Sequence, residues 1–127
     1  MRRSLIVSGV LLALAVAVCA LSDAAIERTL DGAEQLRLRV LAQAEREDDV
    51  GALEAVTQLA LYWTEREPLM EMLTSHEHIR RVREEFVSGK LLLQLGDRDA
   101  FEEHMALLGE GLEHIRRHET VSLANIF

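Results

Sequence analysis

Between Leu5 and Leu21 the chain runs for 17 residues without a charge, directly behind Arg2 and Arg3. At about 1.5 Å of rise per helical residue this run covers roughly 26 Å. That is slightly less than the ~30 Å hydrocarbon core of a bilayer, and Ser22, Ala24 and Ala25 can lengthen it. We read residues 1–23 as a transmembrane signal-anchor, with residues 5–21 as the membrane partner. Two other fates compete for the segment. Val18-Cys19-Ala20 offers a small-residue cleavage site after a short apolar stretch, and Cys19 is the residue a lipoprotein would acylate. The uncleaved anchor is favoured because Asp23 to Arg46 continues in helical pattern with no turn that would expose a scissile loop. Arg2 and Arg3 precede the span, and the first basic residue after it is Arg28. Basic residues stay on the cytoplasmic side, so the N-terminus is expected in the cytoplasm and residues 24–127 form an extracytoplasmic domain.

The remainder reads as helix throughout. Hydrophobic residues make up 49% of the chain but aromatic ones only 4%, and there is a single proline. Such a composition packs helices on Leu, Ala and Val, whereas a many-stranded fold needs aromatics and turn clusters. Ile26, Leu30, Ala33, Leu36, Val40 and Ala44 form a helical stripe that continues the span and ends at Glu47-Asp48-Asp49. A second helix is expected from about Val50 to Arg66, with Leu53, Val56, Ala60 and Trp63 on one face. Glu67-Pro68 reads as the start of the third, since Pro is tolerated in a first turn and disfavours helix just before it. Its stripe is Leu69, Met72, His76, Ile79, Phe86 and Leu93, completed by Leu73 and Val82. Gly96-Asp97 separates it from a fourth helix, capped by Asp97 or Asp99, with Phe101, Met105, Leu108, Leu112 and Ile115 inward. Arg116-Arg117-His118 is placed in that helix's last turn, where cations suit the dipole, and Thr120 to Phe127 as a short tail. The fold class is therefore all-α, a transmembrane helix continuing into an antiparallel four-helix bundle. Asp49-x-x-Ala52-Leu53-Glu54 is echoed by Asp97-x-x-Ala100-Phe101-Glu102, read as two helices that start alike.

Charge and cysteine usage exclude several functions. A formal net charge of -8 argues against nucleic acid as a partner, and one cysteine cannot build a disulfide framework or a cysteine-based zinc site. His114 and His118 lie four apart on one helix face, a sound spacing for two imidazole ligands. They are the metal candidates, but no Glu follows the first histidine and two arginines stand between them. The expectation is thus no metal and no cofactor. His76 is expected as a neutral imidazole in or near the core, and His104 at the border of the fourth helix's stripe. Trp63 reads as a core plug where the second and third helices meet, and Gly109 and Gly111 as sites of close helix approach. The apolar ending Asn125-Ile126-Phe127 is expected either to dock back on the bundle or to be presented to a partner. No nucleophile, glycine-rich loop or paired carboxylate assembles a catalytic constellation, so an enzyme is not expected.

A charged start and single span, an acidic turn with Ala52 and Leu53, then Trp63 and His76 followed by Ile79 make a recognisable series. It continues with an Asp-rich turn, Leu112-x-His114-Ile115, Glu119 and Ser122-Leu123-x-Asn125-Ile126-Phe127. In these features the whole chain resembles the bacterial membrane-anchored helical family catalogued as domain of unknown function 4363. The resemblance implies one N-terminal span and an all-helical extracytoplasmic part, with no substrate or reaction. Pro68 and the Gly109/Gly111 pair depart from its pattern. The leading expectation is a non-enzymatic membrane-anchored interaction module with a protein partner. The alternative is a sensor or binding domain that uses its histidines for metal, protons or a small ligand.

Overall fold

The computed structural model describes the backbone of residues 1–124 and the side chains of residues 1–118. Four helices follow one another, α1 (Arg2–Glu45), α2 (Asp49–Leu73), α3 (His76–Gln94) and α4 (Arg98–Ala124). Each packs on its chain neighbours and α4 closes on α1, so among the described residues the diagonal pairs do not meet. Short turns make neighbouring helices antiparallel. The core is one stack, with Leu30 and Val40 from α1, Val56, Leu59 and Trp63 from α2, Ile79 and Phe86 from α3, and Phe101, Met105 and Leu108 from α4. The expected stripes of α1 and α4 are the buried ones, with Leu36 only partly covered.

The first 17 residues of α1, 2–18, are exposed, and burial becomes continuous only around Ile26. The same unbroken helix thus carries the apolar run and one wall of the bundle. It is long and apolar enough to cross a membrane, and among the described residues none covers its most apolar stretch.

Two helix boundaries differ from the sequence reading. Pro68 lies inside α2, which runs on to Leu73. Pro removes one backbone donor from the helix, but Trp63 and Met70 on either side of it are both buried on the same face. The break falls instead at Thr74, whose extended backbone ends the helix, before Ser75 starts α3. The extension rotates the expected stripe. Met70 faces the core, while Leu69 is 45% and Met72 82% exposed. At the other end of the bundle, α4 continues through the expected tail to Ala124, so Arg116-Arg117-His118 is not in its last turn.

The sequence echo has a structural counterpart. Glu47 and Gly96 both take positive φ, 59° and 79°, immediately after a helix. Asp48 and Asp97 follow, each donating its N–H back to the preceding helix (to Gln43 O at 3.1 Å and Leu92 O at 3.0 Å). Each then caps the next helix, Asp48 Oδ1 accepting from Gly51 N at 2.9 Å and Asp97 Oδ1 from Ala100 N at 3.2 Å. These left-handed stops with an Asp cap form the α1–α2 and α3–α4 turns at the same end of the bundle. There Arg98 binds Asp49, Nη2 to Oδ1 2.7 Å.

Candidate metal centre

The opposite end of the α3–α4 face gathers three imidazoles. His78 stands in the first turn of α3, and His114 and His118 stand one turn apart on α4. Ring centroids are 4.6 Å apart for His78 and His114, 5.0 Å for His78 and His118, and 4.3 Å for His114 and His118. One ligand nitrogen from each ring can be chosen so that all three lie within 4.8 Å of one another. His78 is half-buried, and the other two are exposed.

The placement follows from the helical hairpin. Residues equally far from its turn face each other, and His78 and His114 each lie 18 residues from Gly96. Gly111 brings the helices close, since a Cβ there would stand 3.3 Å from Val82 Cγ2. Gly109 has a different use. The Arg37 guanidinium lies where its side chain would be, with Cζ 2.8 Å from an added Cβ, and donates to Met105 O at 3.3 Å. Of the two glycines, only Gly111 is thus a close contact between helices.

Charge around the cluster is ordered by ion pairs that the sequence does not display. Arg116 turns away to α1, bonding Asp31 at 2.7 Å and standing 3.4 Å from Glu27. Arg117 lies 3.8 Å from Glu113, and Arg81 3.6 Å from Glu77. Loss of solvent, and next the like charge that His114 and His118 would carry, hold His78 below the ordinary imidazole range. Arg81 acts in the same direction and Glu77 opposes it. A neutral His78 keeps a nitrogen lone pair free to bind a cation. Beside the cluster, a cleft of about 210 Å³ is walled by His78 and His114 together with Arg81, Glu85 and Glu110.

The other expected residues lie elsewhere. Trp63 is buried in the middle of the bundle rather than at a helix junction, and its Nε1 has no hydrogen-bond partner among the described residues. His76 is exposed, contrary to its expected core position. It is the first residue of α3, and the buried positions of that helix begin only at Ile79. His104 is held by Glu85, Nδ1 to Oε2 2.7 Å, away from the three-histidine group. Asn125, Ile126 and Phe127 lie outside the described residues.

Sequence reasoning paired His114 with His118 and did not join His78 to them. The missing signal was the hairpin's centre at Gly96, which sets His78 opposite His114. No family model matches this chain, and neither does any curated protein or solved structure.

Proposed function

We propose that the chain is a single-pass membrane protein whose helical bundle is a non-enzymatic binding module, held close to the membrane surface. The observation that carries this reading is the continuity of α1 from Arg2 to Glu45. A linker-free helix fixes the bundle's height above the bilayer instead of letting it swing. The ion pairs of Arg116 with Asp31 and Glu27 set the histidine cluster beside that stretch of α1. Counted from Leu21 at 1.5 Å per residue, the cluster lies about 10–15 Å beyond the apolar run. The α3–α4 face with its three histidines is the binding face in this reading. The resemblance to domain of unknown function 4363 belongs to the same proposal, because it implies the same layout. Protein docking is a second reading, favoured by Val87, Leu91 and Leu95, an exposed apolar row at four-residue spacing along α3 and its C-cap.

The anchor and its orientation have direct tests. The protein should stay with membranes after an alkaline wash, with Met1 or Arg2 at its N-terminus. Recovery in the wash, or a mature chain starting at Cys19 or after Ala20, overturns the uncleaved anchor. In a Cys19→Ala background, Glu103→Cys should react with a membrane-impermeant maleimide on intact cells. Labelling only after lysis would place the bundle in the cytoplasm.

A further inference from the structure

We propose that His78, His114 and His118 form a binding site for one divalent transition-metal ion of the imidazole-preferring class, with zinc as its first occupant. The inference deepens the binding-module reading above and rests on it only for the location of the ion near the membrane.

Convergence is the first argument. Two histidines one turn apart arise easily on any polar helix, but the third comes from a different helix, 36 residues earlier in the chain. Around zinc, nitrogens sit at about 2.0–2.1 Å, so two of them in a tetrahedron are about 3.3 Å apart. The three nitrogens here lie within 4.8 Å. The remaining closure is a matter of small side-chain rotations, and His114 and His118 are exposed and have room to make them.

The donor set decides the class of ion. Three nitrogens suit zinc, copper, nickel or cobalt, whereas calcium and magnesium require mainly oxygen ligands. Three protein ligands also leave a coordination position open, as in sites that exchange a fourth ligand. His78 and His114 line the adjoining cleft, so a water or a small anion has room to supply it.

Surrounding charge favours a cation at this place. The two arginines between His114 and His118 are engaged elsewhere, Arg116 with α1 and Arg117 with Glu113. On α3, Arg81 lies beside Glu77, and Glu85 and Glu110 face the same cleft from α3 and α4. The chain as a whole carries a net charge of -8, which raises the local concentration of cations.

The test uses the full chain in detergent micelles, titrated calorimetrically with zinc and spectroscopically with cobalt(II). One zinc per chain should bind, and cobalt should give the intense visible bands of a low-symmetry four-coordinate site. His78→Ala should weaken zinc binding about 100-fold, the upper end of what losing a mere partner of a ligand costs. His114→Ala and His118→Ala should do the same. His76→Ala and His104→Ala, which change histidines outside the cluster, should leave affinity within about twofold of the parent. Circular dichroism on each variant separates loss of a ligand from loss of fold. Absence of binding, or binding that survives His78→Ala unchanged in a folded variant, overturns the site. Because the titration is done in micelles, it gives the same answer whichever side of the membrane the bundle occupies, and a failed site leaves the anchor reading standing.

Discussion

Tyr62 rests the tip of its ring on Gly32 across the α1–α2 interface and donates its hydroxyl proton to Thr29 O at 3.1 Å. A methyl group at position 32 would occupy the space of that ring tip. In an exposed helix, Gly→Ala would gain up to about 1 kcal/mol. Here Gly32→Ala should instead lower stability by about 1–2 kcal/mol, the usual penalty of overpacking. In a Tyr62→Leu background the same change should become neutral or stabilising. Urea denaturation of the four variants reads this directly, and a stabilised Gly32→Ala single variant would show that Tyr62 yields without loss.

The Tyr62 contact also sets the height of the α2–α3 corner. Ten residues farther along α2, Met72 comes level with α1 residues 19–22, where Cys19 and Ser22 are partly buried. Met72 is 82% exposed at the end of the apolar run. If α1 spans the bilayer, Met72 touches lipid at the interface. In a Cys19→Ala background reconstituted in vesicles, an environment-sensitive dye on Met72→Cys should be quenched by lipids labelled near the headgroup. A dye on Leu12→Cys should respond to deep labels and one on Glu103→Cys to none. A water-like signal from Met72 with a lipid-like one from Leu12 would lift the corner clear of the membrane.

Trp63 is 1% exposed. Trp63→Ala should cost about 3–5 kcal/mol, the range for a large buried aromatic. Because its indole N–H is buried without a partner among the described residues, Trp63→Phe deletes a donor that was making no bond. That variant should lose clearly less than the Ala variant, because Phe refills most of the indole's volume and leaves the smaller cavity. A Phe variant as unstable as the Ala variant would mean that the indole nitrogen has a bonded partner.

The paired turns give opposite expectations for two positions. Glu47 holds φ 59°, a conformation that costs a residue with a Cβ about 1–2 kcal/mol. Its ion pair with Arg98 is 3.5 Å long with the glutamate 81% exposed, and such pairs add little. Glu47→Gly should therefore raise the melting temperature. Gly96→Ala, at φ 79°, should lower it by a destabilisation of about 1 kcal/mol. Equal effects of the two changes would contradict the equivalence of the turns.

Metal-free protein should lose stability on mild acidification through His78. Its native pKa lies below the unfolded value of 6.5, so in that interval the unfolded chain binds more protons than the native one. Stability then rises with pH. The contribution is complete above about pH 7 and declines as pH falls through 6.5 toward the native value. His114, His118 and Arg81 oppose the charged ring, and Glu77 favours it. His78→Gln should therefore show a smaller difference in urea midpoint between pH 7.5 and pH 5.5 than the parent. A slope unchanged by the substitution would assign the effect to other groups.

Much of the architecture was legible in the sequence because it depends on local pattern. The uncharged run, the three- and four-residue stripes of α1 and α4, and the Gly96-Asp97 stop each arise within a few turns of one helix. Pro68 misled because local propensity marks a helix start there, while burial of Trp63 and Met70 on one face carries α2 past it. That error displaced Leu69 and Met72 from the expected core, since a helix extended through the proline turns a different edge inward, and it left His76 as the exposed first residue of a separate α3. The histidine cluster was not legible in this way. His114 and His118 are adjacent by helical geometry alone, but His78 joins them only when α3 folds back along α4 at a distance that Gly111 permits. The sequence alone determined that the chain is helical and which end carries the apolar run. Tertiary packing decided which histidines meet, because it brings together residues that no short-range periodicity relates.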